Sequence, residues 1–312
     1  MENMTPLATL FGLPVYPYAA FLVLGAVAAL CMALLRAKKT GLPGGAVLTF
    51  ALLALPLGVV LARLLYCVCR PGEIVDSGFG YIFRIDYGGF SLMGAFLGMV
   101  LAAWLTARIE GVAFAAVADA VTPGLLVLLA LARLGEGATT NGIGVDVQNE
   151  ALWFFPLARP DSYDAYCYAI HMGEALTALA AGVYTQAMPI RGRGLASGLG
   201  IIALSAGQIL WEALRRDEVL IFSFVRITMV FFAVVLLVVL VIGLRRSGWP
   251  GKGKALAGVL FFLGVVVVGM NEFFAESKLI SFIPAWLCYL TDAFVVTGMG
   301  VLTGCALRDA CK

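Results

Sequence analysis

The sequence predicts an all-α polytopic membrane protein, and three observations point there. Of its 312 residues, 62% are hydrophobic and only 13% charged, about half the roughly 25% charged share of soluble domains. Mean hydropathy is +0.99. Apolar runs close to the roughly 20 residues that cross a hydrocarbon core recur along the chain.

Nine such runs read as transmembrane helices: about residues 16–35, 45–66, 88–106, 112–132, 169–187, 195–213, 224–244, 255–271 and 284–306. The first opens at Tyr16-Pro17-Tyr18 and the second contains Arg63. The third is rich in glycine from Gly88 to Gly98, and small residues let helix backbones approach closely in lipid. The fourth closes on Arg133. Glu174 lies in the fifth, Gln208 and Glu212 in the sixth, and Arg226 opens the seventh. The eighth has the bounds given, and Asp292 interrupts the ninth. Residues 67–87 form a loop with a Pro71-Gly72 turn signal. Residues 134–168, with Trp153, Phe154 and Phe155 among their charges, read as an extracytoplasmic cap on the bilayer surface, since aromatic side chains favour the interface. The stretch RRSGWPGKGK (245–254) reads as a cytoplasmic linker between a seven-span core (1–244) and a two-span addition (255–312). No internal repeat is visible, which counts against an inverted-repeat transporter.

Basic residues in short loops set orientation. Arg36, Lys38, Lys39, Arg108, Arg191, Arg193, Arg245, Arg246, Lys252, Lys254, Arg308 and Lys312 fall on one side; Arg70, Arg84, Arg159, Arg215, Arg216 and Lys278, with Arg133 at a helix end, fall on the other. The richer side is expected to be cytoplasmic, giving an outside N-terminus and an inside C-terminus. Met1–Pro6 carries no basic residue, so the first span is expected to be retained rather than cleaved as a signal. Cys31 follows the bulky Leu30 and does not look like a lipid-attachment site. A net charge of +2 without a long basic run gives no reason to expect nucleic acid. Seven cysteines without metal spacing and the single His171 give none to expect a metal site.

The charges inside the spans carry the functional signal. Each costs roughly 2.5–3.5 kcal/mol near the bilayer centre on insertion scales. Arg63, Arg133 and Arg226 are therefore expected to converge on one lipid-accessible chamber, where guanidinium groups suit a phosphate-bearing lipid. Arg133-Leu134-Gly135-Glu136-Gly137, followed by Asn141-Gly142-Ile143-Gly144, sends an apolar helix into a glycine-rich turn whose backbone amides can approach an anion. The plainer alternative is an arginine reaching from a helix end toward the interface with a capping glycine behind it. Gln208 and Glu212 are four apart and share a helix face, with Arg215 just beyond; a solvated ion pair at a helix end is the alternative there.

Together these segments resemble the bacterial prolipoprotein diacylglyceryl transferase family over residues 12–244. Tyr16-Pro17-Tyr18 falls where the family has an aromatic pair, and Leu61-Ala62-Arg63-Leu64-Leu65-Tyr66 is similar to its G-x-R-x-x-Y segment. The Gly88–Gly98 run resembles its third helix, and Asp119 to Pro123 its D-x-x-x-P entry. Arg133–Gly144 occupies the place of its R-x-G-N-F-x-N-x-E-x-x-G signature. Glu174-Ala175-Leu176 and Glu212-Ala213-Leu214-Arg215 match later positions. The resemblance implies a multi-pass protein of the bacterial cytoplasmic membrane, without cofactor. Its partners would be phosphatidylglycerol, the lipobox of a prolipoprotein signal peptide and membrane lipids. A lipobox cysteine thiol would attack the glyceryl carbon and glycerol phosphate would leave. Tyr18, Arg63, Arg133, Gly144, Gln208, Glu212 and Arg226 would line the phospholipid site, with Arg133 on the phosphate. The family has histidine where this chain has Met93, asparagine at Glu136, glutamate near Asn141, tyrosine near Leu204 and arginine at Gln208; it has glutamine at Arg226, as though one cation had changed helices. The base is then sought among Glu136, Glu174 and His171, with Glu136 nearest the signature. Two other readings stand beside the enzyme: a catalytically silent lipid- or lipoprotein-binding protein on the same scaffold, and a small-solute transporter.

Overall fold

The computed structural model describes residues 6–10, 13–84, 88–189, 194–216, 221–222, 225–276 and 284–312. Tyr87, Arg191, Arg193 and Lys278, all used above, lie outside the described residues. Among the described residues nine long helices occupy the nine predicted runs: α1 Pro17–Thr40, α2 Gly44–Cys69, α4 Leu92–Ile109, α5 Phe114–Glu136, α6 Ile170–Ala187, α7 Leu195–Ala213, α8 Ile227–Arg246, α9 Gly251–Glu276 and α10 Ala285–Ala310; a short α3, Pro71–Ser77, lies in the loop after α2. Among the described residues eight helices are long and apolar enough to span a membrane, and α6 is the one of the nine that falls short. The reason lies in its sequence: His171, Glu174, Thr177 and Gln186 dilute an 18-residue helix. The protein is an all-α polytopic membrane protein.

The chain divides into two compact units, Ala33–Val121 and Met1–Met32 with Thr122–Lys312. In the first, α2 and α4 pack antiparallel at very short range. A Cβ on Gly98 would lie 2.6 Å from the Leu57 carbonyl oxygen, and one on Gly94 would collide with that of Leu61. Ser91 caps α4, its hydroxyl accepting from the Gly94 amide while its own amide donates to the Ala62 carbonyl. Gly98→Leu is therefore expected to force the helices apart, at about 1–3 kcal/mol or more for overpacking, lowering the thermal midpoint in detergent; an unchanged midpoint would refute this packing.

In the second unit α1 meets α5 in the same way, Gly124 lying against the Ala29 backbone. Helices α7–α10 share one apolar core: Leu195 and Ile202, Leu236 and Leu240, Phe261, and Met299, Ala306 and Leu307. Asn271 of α9 donates to Asp292 of α10 at 2.8 Å. The opposite faces remain apolar and exposed, as at Leu256, Val259, Phe262 and Leu263, because lipid tails solvate such side chains as well as a core does.

Short strands replace parts of the predicted loops. The pairs β1 (Ala8–Leu10) with β2 (Leu13–Val15), and β6 (Ile221–Phe222) with β7 (Val225–Arg226), are antiparallel hairpins, so the seventh long helix starts at Ile227 rather than residue 224. Within 134–168, β3 (Ile143–Asp146), β4 (Ala158–Pro160) and β5 (Tyr166–Ala169) form an antiparallel sheet in the order β3-β5-β4. Trp153 stacks on Tyr166 with ring centroids 4.6 Å apart and donates to the Val147 carbonyl. The linker is short: α8 ends at Arg246 and α9 begins at Gly251.

Candidate functional site

Three helix ends of the second unit bring charge together. The last turn of α5 supplies Arg133 and Glu136, the first turns of α6 supply Glu174, and the residues closing α7 supply Glu212 and Arg215. Arg133 Nη1 contacts Glu136 Oε1, and its Nε lies 3.1 Å from Glu174 Oε2. Arg215 Nη2 lies 2.6 Å from Glu174 Oε2 and 3.3 Å from Glu136 Oε2. The result is an alternating square of two guanidinium and two carboxylate groups, each bridging both opposite charges. The Glu174 side chain is 0% exposed, those of Arg133 and Arg215 10% and 11%, and that of Glu136 15%. Glu136 is thus the corner most open to a visitor. Burying four charges is tolerable because they cancel; removing one partner of a buried pair typically costs about 3–5 kcal/mol.

Backbone geometry holds the square. After α5 the chain turns through Gly142, whose φ of +76° favours glycine; a Cβ there would meet His171 and approach Glu136 Oε2 at 3.2 Å. Three carbonyls of this turn, those of Gly137, Thr139 and Asn141, accept from Arg159 of β4. Gly144 of β3 then passes the end of α7. The Val145 amide donates to the Leu214 carbonyl and the Arg216 amide to that of Ile143, and a Cβ on Gly144 would lie 2.6 Å from Ile170. Gly144 therefore helps place Arg215.

The remaining expected residues fall as follows. Tyr18, in the first turn of α1, packs against Gly135 and feels the charges of Glu136 and Arg133. His171 is buried beneath the turn, with Nδ1 3.2 Å from the Gly142 carbonyl oxygen. Gln208 is buried on α7, and its Oε1 has no hydrogen-bond partner among the described residues. Glu212 is buried within the electrostatic reach of Arg215, Glu174, Arg133 and Arg226. Arg226 precedes α8; its Nη1 donates to the Glu212 carbonyl at 2.9 Å and the Arg215 carbonyl at 2.8 Å, and its Nε to Glu272 Oε2 at 3.2 Å. Arg226 and Glu272 stand at one end of an apolar cavity of about 220 Å³ between α7, α8, α9 and α10.

Arg63 belongs to the other unit. Its guanidinium donates to the carbonyls of Tyr81 (2.6 Å), Ile82 (3.2 Å), Arg84 (3.1 Å), Gly88 and Gly89 (3.0 Å), and lies over the Tyr81 ring. There it ties the loop after α2 to that helix. Met93, also in that unit, is buried in α4. Two residues carry no assigned role in the sequence: Arg215, which there only ends the Glu212-Ala213-Leu214-Arg215 match, with a solvated ion pair as the alternative, and Arg159, a loop cation that holds the turn beside the square. The available signal for Arg215 was its place one turn beyond Glu212; Arg159 gave none, being about twenty residues from the turn it holds.

Outside the helices Cys167 is buried on β5, and no disulfide joins cysteines among the described residues. Burial, then the hydrogen bond to Asp146 at 3.3 Å and its charge, push the Cys167 thiol up to about 11 from an ordinary 9.0. Only the thiolate is alkylated. Cys167 is therefore expected to react about 50-fold more slowly than an ordinary thiol at pH 9, the rate rising toward pH 11; mass mapping of iodoacetamide adducts checks this, and ordinary reactivity at pH 9 would contradict it.

Residues 6–245 match the protein family described as prolipoprotein diacylglyceryl transferase. A phosphatidylglycerol–prolipoprotein diacylglyceryl transferase of Oceanobacillus iheyensis is 24% identical over 242 residues, covering 74% of this chain and 83% of that protein. One of Clostridioides difficile is 30% identical over 148 residues, 44% of this chain and 59% of that protein. One of Mycolicibacterium paratuberculosis is 34% identical over 129 residues, 39% of this chain and 30% of that protein. The family match takes in every helix from α1 to α7 and nearly all of α8, with the whole charged square inside it. The chain belongs to the prolipoprotein diacylglyceryl transferase family.

Proposed function

We propose that the protein transfers the diacylglyceryl group of phosphatidylglycerol to the lipobox cysteine of an exported prolipoprotein, in the bacterial cytoplasmic membrane. The observation that carries this reading is the alternating square of Arg133, Glu136, Glu174 and Arg215 at the family's signature turn. Two guanidinium groups whose charges are already balanced can accept a lipid phosphate in exchange for one of their carboxylates. Glu136 is the exchangeable corner, being the most exposed of the four.

The chemistry follows. The phosphodiester of the lipid occupies the face of Arg133 and Arg215 that Glu136 leaves. Displaced but adjacent, Glu136 takes the proton of the incoming thiol, whose ordinary pKa of about 8.5 leaves it mostly protonated at neutral pH. The thiolate sulfur attacks the glyceryl carbon that bears the phosphate. A C–S bond forms, the C–O bond breaks, and the electron pair leaves with glycerol phosphate. The leaving phosphate gains negative charge as that bond breaks, and donors already in place stabilise it most in a water-poor site. Glu174, wholly buried, keeps the two guanidinium groups aligned throughout. His171 supports the turn from below, and Tyr18, Gly144, Gln208, Glu212 and Arg226 shape the surroundings. Arg63 serves the same reaction by ordering the loop after α2.

The test is reconstitution into phosphatidylglycerol vesicles with a synthetic lipobox peptide, read by mass spectrometry for the thioether product. Product formation supports the reading. Peptide and lipid binding without product would replace it with the silent scaffold, and solute uptake by sealed vesicles without product would replace it with a transporter.

A further inference from the structure

We propose that Glu272, on the two-helix addition, is a positioning residue for the transfer: through Arg226 it fixes the end of α7 and so the guanidinium of Arg215. The inference rests on the function proposed above. It deepens that reading by making α9, which lies beyond the family match at residue 245, part of the working enzyme.

An acidic residue near the centre of a membrane helix is unfavourable by roughly 2.5–3.5 kcal/mol on insertion scales, and such residues mark function by default. Glu272 is 6% exposed, so water does not offset that cost. Its carboxylate faces Arg226 Nε, and the other arm of that guanidinium donates to two carbonyls, of Glu212 and Arg215. A helix ends with unpaired carbonyls and a partial negative charge, and a cation there satisfies both. Arg226 is thus a C-terminal cap for α7 contributed by the residue just before α8. The residue whose carbonyl it holds is the residue whose side chain closes the square on Glu174 and Glu136.

From the other side the same turn is held by β3, at the Leu214 carbonyl and the Arg216 amide. Arg215 is therefore fixed between two supports, one from the family core and one that reaches α9. The planar guanidinium makes the relay directional, because turning Nε toward Glu272 aims Nη1 at the carbonyls. Removing the carboxylate takes away the charged contact that orients Nε of Arg226 and weakens its aim at the two carbonyls, and a displacement of about 1 Å at a reacting group can cost on the order of 100-fold in rate.

The experiment compares the wild-type protein, Glu272→Gln, the exchanged pair Arg226→Glu with Glu272→Arg, and Asn271→Ala in the same vesicle assay. Glu272→Gln is expected to lower kcat roughly 10- to 100-fold with little change in KM for the lipid. The exchanged pair restores attraction between α8 and α9 but removes the donor to the two carbonyls, so it is expected to stay as slow as Glu272→Gln. Asn271→Ala loosens α9 from α10 and is expected to keep wild-type kcat. Arg215 is read independently of turnover, by phenylglyoxal labelling mapped by mass spectrometry: shielded in the wild-type protein, it is expected to label several-fold faster in Glu272→Gln. Unchanged labelling and kcat in Glu272→Gln overturn the proposal, and so does recovery of kcat in the exchanged pair, which would reduce Glu272 to a helix fastener. An inactive wild-type protein overturns the transfer reading instead; the labelling result then decides the positioning role by itself.

Discussion

Arg133→Lys is expected to lower the transfer rate by about 100- to 1,000-fold, the range seen when one preorganised donor to a developing oxyanion is removed. Lysine keeps the charge, so a purely Coulombic role would survive the change. What it loses is the fork: Arg133 reaches Glu136 through Nη1 and Glu174 through Nε, and a single ammonium cannot hold both groups while offering a planar pair of donors to a phosphate. The loss should appear in kcat and kcat/KM together if the arginine acts in the transition state. Measuring thioether formation against lipid concentration checks it. A lysine variant within threefold of the wild-type protein would show that charge alone suffices and would remove Arg133 from the reacting centre.

Glu174→Gln is expected to destabilise the protein by about 3–5 kcal/mol, the penalty for leaving a buried charge without its partner. Its carboxylate is the wholly buried corner and lies 3.1 Å from one guanidinium and 2.6 Å from the other. Without it the square carries one carboxylate against two guanidinium groups. Thermal unfolding in detergent measures the effect, and adding Arg215→Gln should recover part of the loss, because groups sharing one network are not additive. Equal stability of the single variant and the wild-type protein would mean the square is not a structural unit.

Much of this was legible in the sequence. Long apolar runs are a strong signal because a bilayer fixes their length, and all nine coincide with helices. The signature turn was legible too: an arginine ending an apolar helix before closely spaced glycines reads the same in sequence and in space. Arg215 was not. A cation just past a helix end looks identical whether it meets water or turns inward, and its carboxylate partners are 79 and 41 residues away. The strands were missed because runs of two to four residues are too short to show alternation. The three arginines expected to share one chamber are each held by acceptors near at hand. Arg133 pairs with Glu136 and Glu174 in the square, Arg226 holds the Glu212 and Arg215 carbonyls that close α7, and Arg63 serves the loop after α2 in its own unit. An intramembrane guanidinium needs acceptors, and irregular backbone supplies them as readily as phosphate does; the sequence does not distinguish the two.

The weak apolarity of α6 bears on biosynthesis. A segment carrying a carboxylate partitions poorly into hydrocarbon on its own, and its two counter-charges flank it in the chain, one made before it and one after. Lodging of that segment is therefore expected to lean on Arg133, already made, and to be completed when Arg215 follows, so that its insertion depends on partners rather than on its own apolarity.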